Sequence, residues 1–271
     1  MVCLSLFVSE MSVAILQMLW LTASSILLLM LVTWLVSIAH KDVSIVDIVW
    51  GLGFVVVVWT GLLRTNAPSD GQWILTFLVT AWGLRLSAHL FLRNHGKPED
   101  FRYRAMRDRW AGFFPLVSLF TVFGLQAAVM WLISLPIQLA FAVRVDVIHP
   151  LFLCGIGIWL VGMFFEVVAD LQLTRFKRVA ANRGKVLDTG LWRYSRHPNY
   201  FGESVLWWGL FLASVALSGC WWTVISPILM TFLLLHVSGV SLLEKTLKHS
   251  RPGYDQYISR TNAFWPGPPR H

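Results

Sequence analysis

The segment Gly190-Leu-Trp-Arg-Tyr-Ser-Arg-His-Pro-Asn-Tyr-Phe-Gly-Glu203 sets cations, hydrogen-bond donors and a carboxylate between two long apolar runs. Pro198 suits the first position of a helix, which puts His197 near its N-cap and Arg193 and Arg196 just before it. Backbone N–H groups at such an end, beside guanidiniums, form an anion site suited to phosphate. Asn199 and Glu203 fall one helical turn apart and face one ligand, although a glutamate in a first turn also complements the helix dipole. A second basic stretch runs from Arg93 through Asn94 and Lys97 to Arg104. Together with Arg175, Lys177 and Lys185 it carries more positive charge than one phosphate needs. A diphosphate with a third phosphate fits that number, and so do acidic lipid headgroups. No Gly-x-Gly-x-x-Gly turn or Walker-type loop accompanies these residues, so a dinucleotide would be held by helix ends and loops.

Other polar groups interrupt apolar runs. Asp47 in Val43-Ser-Ile-Val-Asp-Ile-Val-Trp50 is costly unless it faces the interior of a helix bundle, finds a partner or takes up a proton. A protonated carboxyl there can donate a hydrogen bond to a substrate carbonyl. The alternative is an interfacial residue that caps a helix or pairs with Lys41. Gln126 is either a bridge between helices or a ligand contact. Arg85, one turn before His89, pairs with Asp47 or snorkels to the interface. Glu166 and Asp170 share one helix face, where loop cations or a cofactor can satisfy them.

The elements that position these groups follow from composition. Hydrophobic residues make up 56% of the 271 and charged residues 13%, and the apolar runs approach the ~20 residues that cross a bilayer. This pattern predicts an all-α bundle of seven transmembrane helices, a class favoured because lipid tolerates no open sheet edges. The predicted spans are Val13 to Ala39, Val43 to Leu63, Trp73 to Leu92, Phe113 to Ile137, Leu151 to Val168, Phe201 to Leu217 and Trp221 to Leu243. Apart from Arg64, Arg85 and Arg144, every Lys and Arg falls in segments that this topology places on one face. The positive-inside rule then sets the N-terminus outside and the C-terminus in the cytoplasm, and it accounts for most of the net charge of +8 without nucleic acid. Cys3, Cys154 and Cys220 suggest neither disulfides nor a zinc site. No metal is expected. Met1 to Glu10 lacks a basic n-region, so the first span is expected to be retained. With no repeat or linker, 1–271 reads as one membrane domain whose cofactor-binding part is about 145–271.

Three segments carry a resemblance: the Gly190 to Glu203 motif, Glu-Val-Val-Ala-Asp-Leu-Gln-Leu-Thr-Arg175, and Ser238-Gly-Val-Ser-Leu-Leu-Glu-Lys245 with Arg251-Pro-Gly-Tyr254. They resemble the steroid 5α-reductase family, in particular its bacterial branch once known only as a domain of unknown function. The Arg-His-Pro-x-Tyr core is similar to that of isoprenylcysteine carboxyl methyltransferases as well, which bind S-adenosylmethionine. Asp170, Asn199 with Glu203, Leu125-Gln126 and Asn94-x-Gly96-Lys97 tilt the likeness to the reductases.

That resemblance implies an oxidoreductase in which NADPH reduces the C=C bond of an enone, by default a 3-oxo-Δ4-steroid. Cofactor contacts carried over are Asn94, Lys97, Asp170, Lys177, Tyr194, Asn199 and Glu203. Arg104, Arg175, Arg193, Arg196, His197, Tyr200 and Glu244 complete the expected set. Lys97 and Lys177 stand where the animal enzymes have arginine, which keeps the charge but loses the bidentate fork. Asp47 is the expected acid at the carbonyl, with Glu203 and Gln126 as further catalytic candidates and Trp50, Phe54 and Trp82 as substrate walls. The tyrosine that the animal enzymes carry on their third helix is missing from Ala81-Trp-Gly-Leu-Arg85, which leaves Asp47 alone, Trp82 or a water in its place, or a different substrate. Expected partners are an apolar substrate and membrane lipid, in a monomer of the bacterial inner membrane, or of the endoplasmic reticulum in a eukaryote. A membrane methyltransferase using S-adenosylmethionine and a non-catalytic lipid-binding protein are the competing functions.

Overall fold

The computed structural model describes residues 2–143, 150–237, 239–240, 243–244, 247–248 and 251–270, with side chains from residue 11 onward. Arg144 and parts of the Ser238 to Lys245 motif lie outside the described residues. Every regular element among the described residues is helical. Six helical segments are long and apolar enough to cross a membrane: Met11–His40, Ile45–Arg64, Asp70–Asn94, Phe101–Ile133, Pro150–Arg178 and Pro198–Ser218. At the seventh predicted span, Trp221 to Leu243, the described residues hold a shorter apolar helix, Trp221–Val237, which does not reach the length of the other six.

The chain divides into two compact units, residues 1–149 with 214–223 and residues 150–213 with 224–271. In the first unit, α1 (Val2–His40), α2 (Ile45–Arg64) and α3 (Asp70–Asn94) pack in sequence, and α4 (Phe101–Trp110) follows a short loop. Ser69 and Gln72 cap α3 reciprocally: the Gln72 N–H donates to Ser69 Oγ at 3.3 Å, and the Ser69 N–H donates to Gln72 Oε1 at 3.0 Å. Asp100 caps α4 by accepting from the Arg102 N–H at 3.0 Å. The next span is broken into α5 (Phe114–Ser118), a π-helical turn (Leu119–Gly124), α6 (Leu125–Ile133) and α7 (Leu135–Ala142). A buried polar network ties α1 to α7. Thr22 donates to Gln138 Oε1 at 2.8 Å, and the Gln138 amide donates to Ser134 Oγ at 2.7 Å. Such internal satisfaction is what polar side chains require in lipid.

The second unit is built on α8 (Pro150–Arg178) and the Pro198 end of α9 (Pro198–Ser218), followed by α10 (Ile225–Phe232) and α11 (Tyr254–Arg260). Four glycines set the spacing of α8 and α9. A methyl group on Gly202 would lie 2.5 Å from Glu166 N and 2.6 Å from Gly162 O, and one on Gly209 would lie 2.5 Å from Trp159 N and 2.7 Å from Gly155 O. Gly155 and Gly162 face Gly209 and Gly202 in turn, so backbone meets backbone over two turns of helix.

Because the atoms in the way are main chain, they cannot move aside. Gly162→Ala or Gly202→Ala is therefore expected to lower the melting temperature of the detergent-purified protein by roughly 5 °C or more. Gly157→Ala, on the same helix with nothing within 4 Å, should leave it unchanged. Equal melting of all three variants would rule out close packing as the constraint.

Candidate active site

Asp47 lies in the first turn of α2, and two side chains of α4 converge on it. Tyr103 Oη donates to Asp47 Oδ1 at 3.0 Å, and Arg102 Nη2 donates to Oδ2 at 3.3 Å. Arg102 is itself held by the α4 cap, its Nε 2.9 Å from Asp100 Oδ1. The Asp100 N–H donates to Ser44 Oγ at 2.8 Å, which locks the loop to the start of α2. Asp47 thus pairs with Arg102 instead of Lys41 or Arg85. Tyr103, only 7% exposed, brings to it a phenol that α3 does not provide. A neighbouring cluster uses Glu99, which accepts from Arg107 Nη2 at 2.8 Å, from Arg107 Nε at 3.1 Å and from the Val43 N–H at 2.9 Å. Burial pushes the Glu99 carboxyl up, but these hydrogen bonds and the Arg107 charge outweigh it and hold it below the usual glutamate range.

Of the expected substrate walls, Phe54 and Trp82 are fully buried and meet edge to face with ring centres 5.5 Å apart; Trp50 adjoins Phe54 in the same geometry. Phe54 and Trp82 are core residues of the first unit and present no surface to a substrate, since their rings fill the space between α2 and α3. Gln126 follows the π-helical turn, and its buried Oε1 has no hydrogen-bond partner among the described residues. Asn94 ends α3 and accepts from Arg93 Nε at 3.2 Å, while Lys97 and Arg104 are exposed.

In the second unit the glycine contact brings α8 carboxylates beside the N-terminal turns of α9. Glu166 and Asp170 are both buried, and the Asn199 amide donates to Asp170 Oδ1 at 3.2 Å. Glu203 follows Asn199 by one turn. Tyr200 stacks on His197 with ring centres 5.7 Å apart. Arg193 and Tyr194 are exposed on the loop, as are Arg175 and Lys177 in the last turn of α8. The Arg175 and Arg193 guanidiniums have no ion pair or hydrogen bond among the described residues.

Arg196 departs from its expected role. It is 8% exposed and its donors are spent within the protein: Nε donates to Glu244 Oε1 at 2.7 Å, and Nη1 donates to the carbonyls of Ile258 and Thr261. Its backbone N–H donates to Asn262 O at 2.9 Å. His197 Nε2 lies 3.4 Å from the same Glu244 oxygen, at the outer edge of hydrogen-bond reach. Arg196 therefore anchors the C-terminal segment and offers no free edge to a phosphate. Other residues of the motif do likewise. Trp192 Nε1 donates to Ala169 O at 3.1 Å, Ser195 Oγ to Phe264 O at 2.8 Å, and Tyr257 Oη to Trp192 O. Gly190 has φ of 63°, with the Gln172 side chain packed where a Cβ would sit, and Gln172 Oε1 accepts from the Leu191 N–H at 3.0 Å. Linear spacing gives no signal for Tyr103, Arg102 or Tyr257, because each acts on a partner far away in the chain.

Burial raises the Glu244 carboxyl, but the approach of His197 and the hydrogen bond and charge of Arg196 more than offset this and hold it below its ordinary value. Its stabilising contribution is full above the unfolded-state value near 4.5 and fades as the pH falls below it. Glu244→Gln should thus melt a few degrees lower than wild type at pH 7 and lose less on acidification to about pH 4. Parallel melting curves across that range would remove Glu244 as the tether.

The family described as "Protein of unknown function (DUF1295)" matches residues 33–261. The chain is 41% identical over 81 residues to the 3-oxo-5-alpha-steroid 4-dehydrogenase 1 of Mus musculus and 37% identical over 73 residues to that of Homo sapiens. The matches cover 29% and 27% of this chain and 32% and 28% of those proteins, so the chain spans about a third of the length of the mouse relative. An uncharacterized protein of Schizosaccharomyces pombe is 26% identical over 272 residues, covering 87% of this chain and 76% of its own. No solved structure matches. The extent of the family match, across both units, places the chain in the DUF1295 family, which is similar to the steroid 5α-reductases.

Proposed function

We propose that the protein is an NADPH-dependent membrane reductase that reduces the C=C bond of an enone in an apolar substrate, by default a 3-oxo-Δ4-steroid, to the 5α-dihydro product. The observation that carries this reading is the part-buried Asp170–Asn199 pair, one turn from Glu203 and one turn from the buried Glu166, with the Arg175 and Arg193 guanidiniums near it in the chain. The partial identity to 3-oxo-5-alpha-steroid 4-dehydrogenase 1 supports the choice of chemistry.

NADPH, when bound, supplies the hydride for the β-carbon of the enone. In the second unit Asp170 orients the Asn199 amide, Asn199 and Glu203 offer polar contacts to the cofactor, and Arg175, Arg193 and Lys177 balance phosphate charge. Tyr194, His197 and Tyr200 provide further contacts. In the first unit, taken by itself, Asn94, Lys97 and Arg104 are candidates for contact with a phosphate. There Asp47 in its protonated form and the Tyr103 phenol, turned from Asp47 to the substrate, donate hydrogen bonds to the carbonyl oxygen as negative charge develops, the phenol takes the place of the hydroxyl that α3 lacks, and a proton from water completes the α-carbon. Arg102 keeps Asp47 in position. Gln126 offers a second polar contact to the substrate. The basic face is assigned to the cytoplasm, in the bacterial inner membrane.

Thermal shift of the detergent-purified protein with NADPH, NADH and S-adenosylmethionine in parallel tests the reading. Selective stabilisation by NADPH is expected, whereas a shift with S-adenosylmethionine alone would make the protein a methyltransferase. Asp47→Asn should lower enone reduction by about 100-fold without loss of NADPH binding. Glu203→Gln should lose NADPH stabilisation while still inserting. Wild-type turnover in both variants would sink the assignment.

A further inference from the structure

At the basic end of α1, a cavity of about 210 Å³ opens in the first unit. Its floor is apolar, made by Ile38, Val43, Phe114 and Pro115, and two of its lining residues, Lys41 and Arg107, are cations. We propose that this cavity binds the phosphate of an anionic phospholipid, with an acyl chain running down α1.

Three observations support this assignment, and none of them depends on the reductase reading. Arg107 is preorganised: Glu99 holds its Nε and Nη2, and its guanidinium carbon sits 4.3 Å from the centre of the Phe114 ring. Its remaining N–H groups have no partner among the described residues, and a planar guanidinium fixed in this way is suited to a phosphate oxygen.

Lys41 occupies a position that favours glycine. Its φ is 53°, in the left-handed region, where its N–H donates to Ile38 O at 3.2 Å and the Asp42 N–H donates to Ser37 O at 3.0 Å to close α1. A lysine there is strained where glycine is not. Its side chain is exposed and its ammonium is unpaired among the described residues. Asp42, Glu99 and Asp108 are the nearby carboxylates, and they match Lys41, Arg104 and Arg107 in number. Asp42 accepts from the Ser44 N–H at 2.9 Å and Glu99 is committed to Arg107 and Val43, and no carboxylate lines the cavity itself, whose charged groups are Lys41 and Arg107.

Chain placement completes the argument. Leu31, Leu35 and Ile38 share one face of α1 by their spacing, and each is more than 40% exposed, which gives an acyl chain an apolar track leading from the cavity. Phe101, Trp110 and Phe113, all exposed on and just after α4, are residues of the kind that sit at the headgroup level.

The test is native mass spectrometry of the delipidated full-length protein with phosphatidylglycerol or phosphatidylcholine, alongside thermal shift with inorganic phosphate. Wild type should prefer phosphatidylglycerol, and Lys41→Asn, which tolerates the left-handed backbone, should lose about fivefold of that preference. Lys41→Asn should also melt no lower than wild type in lipid-free detergent. An unchanged preference in Lys41→Asn, or none in wild type, would overturn the proposal. So would stabilisation by millimolar inorganic phosphate equal to that by phosphatidylglycerol, since the cavity would then be a site for a free anion. Retained NADPH binding in Lys41→Asn keeps these outcomes separate from the reductase assignment.

Discussion

The second unit depends on the contact between the backbones of α8 and α9. Helices in lipid gain little from hydrophobic burial against each other, so close van der Waals packing must supply the attraction, and only glycine allows main chains this near. Gly155, Gly162, Gly202 and Gly209 provide it. The same approach sets Asn199 within hydrogen-bond reach of Asp170. Packing and site geometry therefore share one cause: a side chain added at Gly202 would push against the main chain at Glu166, one turn from Asp170.

Within the Gly190 to Glu203 motif, residues that look alike in sequence divide into two classes. Trp192, Ser195, Arg196 and His197 are buried and tied to α8, to Glu244 or to the C-terminal segment, whereas Arg193 and Tyr194 stay exposed. A buried guanidinium must have its donors satisfied, and the carbonyls of Ile258 and Thr261 satisfy them at Arg196. The C-terminal segment thereby becomes part of the site's support, because it fixes the loop from which α9 starts.

The first unit solves a related problem at Asp47. A carboxylate at the edge of a span needs partners, and α4 supplies Arg102 and Tyr103 from a helix too polar to enter the hydrocarbon. The break between Asn94 and Phe101 lets α4 fold back onto the start of α2, with Ser44, Asp100 and Glu99 as the clasps. Gly51 and Gly83 give α2 and α3 the same close approach seen between α8 and α9, so Phe54 and Trp82 are buried in the core instead of lining an open channel.

The amino-acid sequence by itself determined the helical class, most of the span positions, the start of α9 at Pro198 and the polar residues that interrupt the apolar runs. These are local properties: run length, periodicity and capping chemistry act over a few residues, and lipid removes the competing strand alternative. Tertiary structure alone decided the partners. Asp47 meets Tyr103 across 56 residues and Arg196 meets Glu244 across 48, and no spacing rule links such pairs. Which cation is spent on the fold and which stays open to a ligand depends on how helices pack, since a charge is satisfied by whatever the neighbouring helix brings within about 3 Å.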